Sequence, residues 1–239
     1  MLNASGNSEG FIVEMLSNDP SSVEKLTISE AEAVTGVKKN HINRLLDDGH
    51  FDSLWAVDRV SGRRMLDLDL CVFVKFHEDA GKLLVPKARH KVWSLFVEKV
   101  NSSRTPIAYT TLGANSKTFF FVLDNTLSVD LTPHCLHVIN SWATLRRSRA
   151  EIKSDPDIRG GVPVIVGTRI GAYEVADVVD RAGVEEALEM YPSLDREKVD
   201  AAVLYAKANP RPGRPPRGGE YRSGKLRLKS SRKLTRRVS

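Results

Sequence analysis

The sequence predicts an α+β protein with three parts. These are a mixed helix-and-hairpin N-terminal region, a small β-hairpin plus three-helix C-terminal domain, and a disordered basic tail. Apolar periodicity switches between 3.6 and 2 over residues 26–152, so helices and strands alternate there. Asp155-Pro156 and Asn209-Pro210 are breaks that bound a short, regularly patterned segment. The charge is also uneven. The 239 residues carry +6 overall, but Arg211 to Ser239 holds 11 Lys or Arg against one acid, Glu220, which is +10 and leaves −4 for the rest. A mildly acidic body with a very basic tail points to a polyanionic partner or an acidic protein surface. The expected divisions are a flexible arm over 1–25, an N-terminal domain over 26–152, a helical domain over 153–209, and the tail over 210–239.

Few apolar residues fall in register before Glu24. Ser29 with Glu32 forms a capping box that starts a short helix ending at Gly36. A second helix over about 38–48 places Ile42, Leu45 and Leu46 on one face and stops at Gly49. Residues 54–69 read as a hairpin turning at Ser61-Gly62, with Trp55 and Val57 leading in and Met65, Leu66 and Leu68 leading out. Residues 70–77 form an apolar helix or strand. A helix follows from Pro86 to Val100, with the proline in its first turn. Strands are expected over 106–109 and within 118–131, the latter turning at Asp124-Asn125. Thr132 or Pro133 opens a long helix to about Ile152, apolar at Leu136, Ile139 and Ala143. Residues 160–170 read as strand, Gly167-Thr168 turn, strand. Three helices follow over about 172–182, 184–189 and 196–208, the last capped by Asp195.

Several function classes drop out. No apolar run approaches the roughly 20 residues that span a bilayer, and residues 1–10 lack a signal pattern, so a cytoplasmic protein is expected. Cys71 and Cys135 lie far apart in apolar stretches and read as reduced core thiols. His134 and His137 sit at i, i+3 around Cys135, but no further ligand completes a metal site. No catalytic constellation, phosphate loop or dinucleotide loop is present. No enzymatic role, metal or cofactor is expected.

Residues 28–46 have the pattern helix, glycine turn, helix. Gly36 permits the sharp turn, Val37 plugs the gap between helices, and Ile42 and Leu45 anchor the second helix. That helix offers Lys38, Lys39, Asn40, Asn43 and Arg44 outward. Lys and Arg neutralise phosphates, and Asn can pair bidentately with adenine. The hairpin sits where a wing would, with Arg59, Arg63 and Arg64 near its tip. The segment resembles the helix-turn-helix of MerR-like regulators, which implies a winged-helix-like region. Paired half-sites imply a homodimer.

Further on, Gly160, Gly161, Pro163, Ile165, Gly167, Thr168, Arg169 and Ile170 match a G-G-x-P-x-I-x-G-T-R-I stretch, with Tyr191-Pro192-Ser193-Leu194 beyond it. Glycines at these places suit turns needing positive φ or close backbone approach. Arg169 suits either an ion pair or a phosphate contact. From about Ile152 to Ala208 the sequence resembles a small domain of VapB-type type II antitoxins. The resemblance implies a scaffold for dimerisation and DNA docking, operator binding as an autorepressor, and neutralisation of a PIN-domain ribonuclease toxin.

In the tail, Gly213-Arg214-Pro215 flanked by Arg211 and Arg217 is similar to an AT-hook, whose arginines lie in the minor groove of A·T-rich DNA. A plain basic linker has the same composition. Beyond it, Arg222, Lys225, Leu226, Arg227, Leu228 and Arg232 interleave charge with apolar anchors. The antitoxin resemblance implies that this stretch wraps the toxin, with an Arg or Lys pairing with the carboxylates that hold its Mg²⁺. The same charges also suit DNA phosphates. Two other classes stay open: a stand-alone transcription factor without a toxin, and a nucleoid-type binder with little sequence preference. The recognition helix is either the 38–44 helix or the helix spanning Arg196 to Lys207.

Overall fold

The chain first becomes regular at β1 (Leu26–Thr27), and Thr27 decides where the first helix begins. The computed structural model describes residues 24–48, 58–60, 63–103 and 118–211. Two overlapping capping boxes compete here, Thr27 with Glu30 and Ser29 with Glu32. Thr27 is extended (φ −65°, ψ 163°) because β1 pairs with the hairpin, so it takes the cap. Its Oγ1 accepts from the Glu30 N–H at 3.3 Å, and the Glu30 carboxylate accepts from the Thr27 N–H at 2.8 Å. Helix α1 (Ile28–Thr35) therefore starts earlier than the Ser29 box predicts.

After α1 and α2 (Lys39–Asp47), strands β2 (Asp58–Val60) and β3 (Arg63–Leu66) pair antiparallel. Strand β3 also pairs with β1, giving a three-stranded sheet of order β1-β3-β2. The predicted hairpin is thus present. Its expected lead-in at Trp55 and Val57 and its turn at Ser61-Gly62 lie outside the described residues.

The ambiguous run after the hairpin is a helix, α3 (Leu68–Asp79), capped by the Asp67 carboxylate on the Leu70 N–H at 2.8 Å. A 3₁₀ turn (Gly81–Leu83) leads to α4 (Pro86–Ser103). Strands β4 (Phe120–Val122) and β5 (Ser128–Asp130) form a hairpin whose turn is fixed by Asp124 Oδ1, which accepts from the Thr126 and Leu127 N–H groups. The strand expected over 106–109 lies outside the described residues. Rings of Phe73, Trp93, Phe96 and Phe119 stack in sequence at centroid distances of 4.7, 5.8 and 5.7 Å. They join α3, α4 and the entry to β4 in one core.

The long helix α5 (Thr132–Ala150) buries Cys135, Val138, Ile139, Trp142, Ala143 and Leu145. Leu136, expected on that stripe, is 41% exposed instead. The apolar stripe is set by Cys135, Val138, Ile139 and Trp142, at i, i+3, i+4 and i+7, and this turns Leu136 outward. Cys71 and Cys135 are both buried free thiols.

Strand β6 (Ile152–Lys153) follows α5 at once and pairs with β7 (Val164–Ile165). The expected strand-turn-strand over 160–170 is corrected here. Gly160 and Gly161 sit at φ 66° and 85° in a 3₁₀ turn, which no strand adopts, and the return strand shrinks to a single bridge between Val164 and Gly171. Helices α6 (Ala172–Ala182), α7 (Val184–Met190) and α8 (Arg196–Ala208) lie where the sequence puts them. Asp195 caps α8 through the Lys198 N–H at 2.8 Å. The described residues thus form a mixed α+β fold that is mostly helical, with small sheets.

Helix α8 packs on α6, and also on α1 and α5. Val199 and Ala202 lie in the core of the 152–206 segment with Ile165, Ala172 and Val175, while Ala208 and Leu204 pack into the N-terminal core. Ser148 on α5 is buried and donates to the Ala201 carbonyl at 3.0 Å, so small residues let the two backbones approach. The described residues up to Asn209 accordingly cluster as one compact unit. No helix among the described residues is long and apolar enough to cross a membrane.

An ionic knot ties α1 to α5. Glu30, only 7% exposed, receives the Arg149 guanidinium, which also grips Glu24. Trp142 Nε1 donates to Glu24 at 2.8 Å, and Arg146 lies 5.1 Å over the Trp142 ring. Replacing Arg149 strands a buried carboxylate. Arg149→Met is expected to cost about 3 kcal/mol in urea unfolding, and Arg149→Met with Glu30→Gln is expected to recover part of that loss.

Asp69, in the first turn of α3, poses the opposite problem. Burial, with the neighbouring Asp67 charge, pushes its carboxyl up to about 7. Between its unfolded value of 3.8 and about 7 the folded state holds the extra proton, so its contribution to stability falls as pH rises through that window. Thermal melts of Asp69→Asn and wild type are expected to coincide near pH 4. By pH 8 the variant is expected to be the more stable by roughly 2–4 kcal/mol.

Candidate nucleic-acid interface

The turn between α1 and α2 is built by three residues. Gly36 sits at φ 72°, ψ 1° and its N–H caps the Glu32 carbonyl. Thr35 Oγ1 donates to the Ala31 carbonyl at 2.7 Å and accepts from the Val37 N–H at 3.1 Å. Val37 is 3% exposed and fills the space between the helices with Val34, Ile42 and Leu45. The roles read from sequence for Gly36, Val37, Ile42 and Leu45 are those seen. The core fixes which face of α2 remains outside.

On that face, Lys38 caps α2 with its carbonyl and is exposed. Lys39 lies 3.6 Å from Glu32. Asn40 is exposed, with its side-chain oxygen accepting from the His41 N–H at 3.0 Å. Arg44 is exposed and makes no ion pair among the described residues. His41 Nδ1 is 3.7 Å from Glu78, whose carboxyl is held below its ordinary value by hydrogen bonding to Lys82 at 2.8 Å.

Asn43 and Arg64 do not act separately. Arg64 Nη1 donates to the Asn43 side-chain oxygen at 3.1 Å and to its backbone carbonyl at 3.4 Å, while Nη2 pairs with Asp47. A residue of strand β3 is therefore fastened along the last turns of α2. Arg63 opens β3 opposite Val60, and Arg59 stands opposite Arg64.

The order of charge along α2 runs against its own dipole. Lys38 and Lys39 sit at the positive N-terminal end and Asp47 and Asp48 at the negative end, which costs stability, while Arg44 in the last turn runs with the dipole and offsets part of it. Cations gathered on a helix N-terminus raise its pull on anions. Arg64 offsets part of the cost at the far end by covering Asp47.

The glycine-rich stretch at 159–171 is a structural knot. Arg159, at φ 51°, turns with Gly160 and Gly161 in the left-handed region. Its guanidinium makes two hydrogen bonds to Glu174, and one nitrogen also donates to the Arg169 carbonyl at 3.3 Å. A Cβ on Gly171 would come within 3.1 Å of Glu174 and 3.3 Å of Arg159, which explains the glycine. Thr168 Oγ1 donates to the Ile165 carbonyl and accepts from the Ile170 N–H, closing the turn in which Gly167 adopts φ 77°. Pro163 places its carbonyl on the Ala172 N–H at 2.9 Å. Arg169 is exposed, and its side chain has no ion-pair partner among the described residues. The ion pair belongs to Arg159, which sequence reasoning missed; its one signal is a basic residue beside the glycine pair.

Helix α8, the other candidate recognition helix, buries apolar residues against both cores while Arg196 and Lys207 stay exposed. Arg211 is exposed. Arg214 and Arg217, and the expected toxin-binding residues Arg222, Lys225, Leu226, Arg227, Leu228 and Arg232, lie outside the described residues. Among the described residues no three His, Cys, Asp or Glu are grouped as metal ligands. His134 packs edge-on to Phe76 with Nε2 3.6 Å from Asp79, and burial lowers its pKa.

Residues 152–206 match the family described as "Protein of unknown function (DUF433)". The whole chain is 33% identical over 220 residues to an uncharacterized protein, y4eO, of Sinorhizobium fredii (strain NBRC 101917 / NGR234). That alignment covers 91% of this chain and 96% of the relative. No solved structure matches.

Because an added Cβ at Gly36 meets nothing within 4 Å, the cost of a side chain there is purely conformational. Gly36→Ala is expected to lower stability by about 1 kcal/mol, read from denaturant unfolding, with the far-ultraviolet circular dichroism unchanged.

Proposed function

The chain belongs to the family of the Sinorhizobium fredii protein y4eO, and we propose that it is a DNA-binding antitoxin that represses its own operon. The observation that carries the DNA-binding half is α2: a basic face held outward by a glycine turn, beside a sheet of order β1-β3-β2. We read residues 26–66 as a winged helix in which α2 enters the major groove and the β2–β3 hairpin is the wing. Lys38 and Arg44 contact phosphates or guanine edges. The cost of placing cations against the helix dipole favours this reading, because a purely structural helix gains nothing from it.

The toxin-binding half rests on the resemblance of the 152–208 stretch to VapB-type antitoxins and on the charge of the tail. Eleven basic residues spaced by leucines suit an acidic, metal-holding active site such as that of a PIN-domain ribonuclease. No catalytic step is assigned to this chain. It acts as a cytoplasmic homodimer, matching paired half-sites.

Two measurements test the two halves. In gel shifts on the chain's own upstream DNA, Lys38→Ala with Arg44→Ala is expected to weaken binding at least about tenfold while the melting temperature holds. Unchanged affinity removes α2 as the DNA contact. In native lysate, a tagged full-length chain is expected to bring down a small nuclease that a chain truncated after Pro210 loses. If neither form carries a partner and both still shift DNA, the protein is a stand-alone transcription factor.

A further inference from the structure

We infer that Arg64 is a positioning residue for the recognition helix, not a DNA contact. It sets the angle of α2 and the donor face of Asn43. The inference rests on the DNA-binding reading of α2 given above.

The geometry is specific. One guanidinium reaches 21 residues back to Asn43 and 17 back to Asp47, with side-chain and backbone oxygens as acceptors. The Arg64 side chain is only 30% exposed, whereas Asp47 is 59% exposed. A guanidinium has donors and no acceptor. It therefore fixes the Asn43 amide with its oxygen toward Arg64 and its NH₂ away from it.

Two consequences follow. The bidentate adenine contact expected for Asn43 needs both the amide oxygen and the NH₂. With the oxygen engaged by Arg64, Asn43 offers a donor, which suits guanine O6 or N7, thymine O4, or a phosphate oxygen. The second concerns Asp47. Its carboxylate lies on the C-terminal turn of α2 and is 59% exposed even with Arg64 in place. Through it Arg64 fastens strand β3 to the helix. Loss of Arg64 frees the helix angle and releases Asn43.

Phosphate contacts and positioning contacts leave different traces in salt titrations. A lost phosphate contact weakens binding to all sequences alike and lowers the salt slope by about one. A lost positioning contact lowers the preference for the correct site and leaves the slope unchanged. The test uses the full-length chain, a site selected from a random double-stranded DNA pool, and bulk mixed-sequence DNA as the non-specific reference. For Arg64→Met, affinity for the selected site is expected to fall roughly tenfold, with non-specific affinity and salt slope within error of wild type. Arg64→Lys supplies the same charge without the fork, and is expected to behave like Arg64→Met in site preference. Asn43→Ala is expected to lose the same site preference, and its combination with Arg64→Met is expected to add little.

A salt slope reduced by about one in Arg64→Met, with rescue by Arg64→Lys, overturns the inference and makes Arg64 a phosphate contact. Unchanged preference in Arg64→Met overturns it as well. If the wild-type chain selects no site and binds no DNA, the DNA-binding reading itself falls. Thermal melts on each variant separate these results from unfolding.

Discussion

The packing of α8 between two cores is the constraint on which the rest of the body depends. Its Val199 and Ala202 belong to the small core built on β7 and α6, and its Leu204 and Ala208 to the core of the N-terminal helices. Val199 and Ala202, at i and i+3, and Leu204 and Ala208, at i+5 and i+9, give one helix two apolar faces. The buried Ser148 hydroxyl on the Ala201 carbonyl then satisfies a polar group where α5 and α8 cross. The exposed residues of that helix include Arg196 and Lys207 as well as Glu197 and Asp200, whereas the outer face of α2 carries Lys38 and Arg44, and it is α2 that we propose as the reading helix. The 152–206 segment becomes a buttress behind the helix pair, with Arg159, Glu174 and Thr168 holding its own turns.

The N-terminal helix pair is held from both sides by charge. Behind α1, Arg149 satisfies the buried Glu30 and the half-buried Glu24, so the capping carboxylate of α1 also belongs to an ion-pair network. In front, Arg64 runs along α2 from the sheet. Each arginine links segments apart in sequence, and the acceptors are carboxylate or amide oxygens on the helix pair and, for Arg149, also on Glu24 just before it. Lys38 at the start of α2 and Arg44 further along it face outward with no ion pair among the described residues, and anion binding is the use we propose for them.

Much of this architecture was legible in the sequence, for local physical reasons. Gly36 needs the left-handed region, Val37 must be buried once the chain turns there, and Asp195 with its following helix is a capping pattern that depends on nothing distant. The choice between the Thr27 and Ser29 boxes was not legible, because it is made by the pairing of Leu26 and Thr27 with β3 some 40 residues on. The positive φ expected at Gly160, Gly161 and Gly167 is what the chain adopts. The strand placed from residue 160 therefore starts only at Val164, where it finds its main partner in β6. Arg64 looked like a wing-tip contact because sequence gives the charge and not the carboxylate it meets. Of the expected stripe Ile139 and Ala143 are buried, and Leu136 looked buried because it stands three residues before Ile139, but the face centred on Cys135, Val138, Ile139 and Trp142 leaves it outside.

The central claim, that DNA is read by α2 and not by α8, is tested most directly by lysine-acetylation footprinting of the full-length chain with and without its own upstream DNA. The account predicts protection at Lys38 and Lys39, with Lys198 and Lys207 equally reactive in both conditions. Protection at Lys198 and Lys207 with Lys38 and Lys39 still reactive contradicts it and moves the interface to the 152–208 segment.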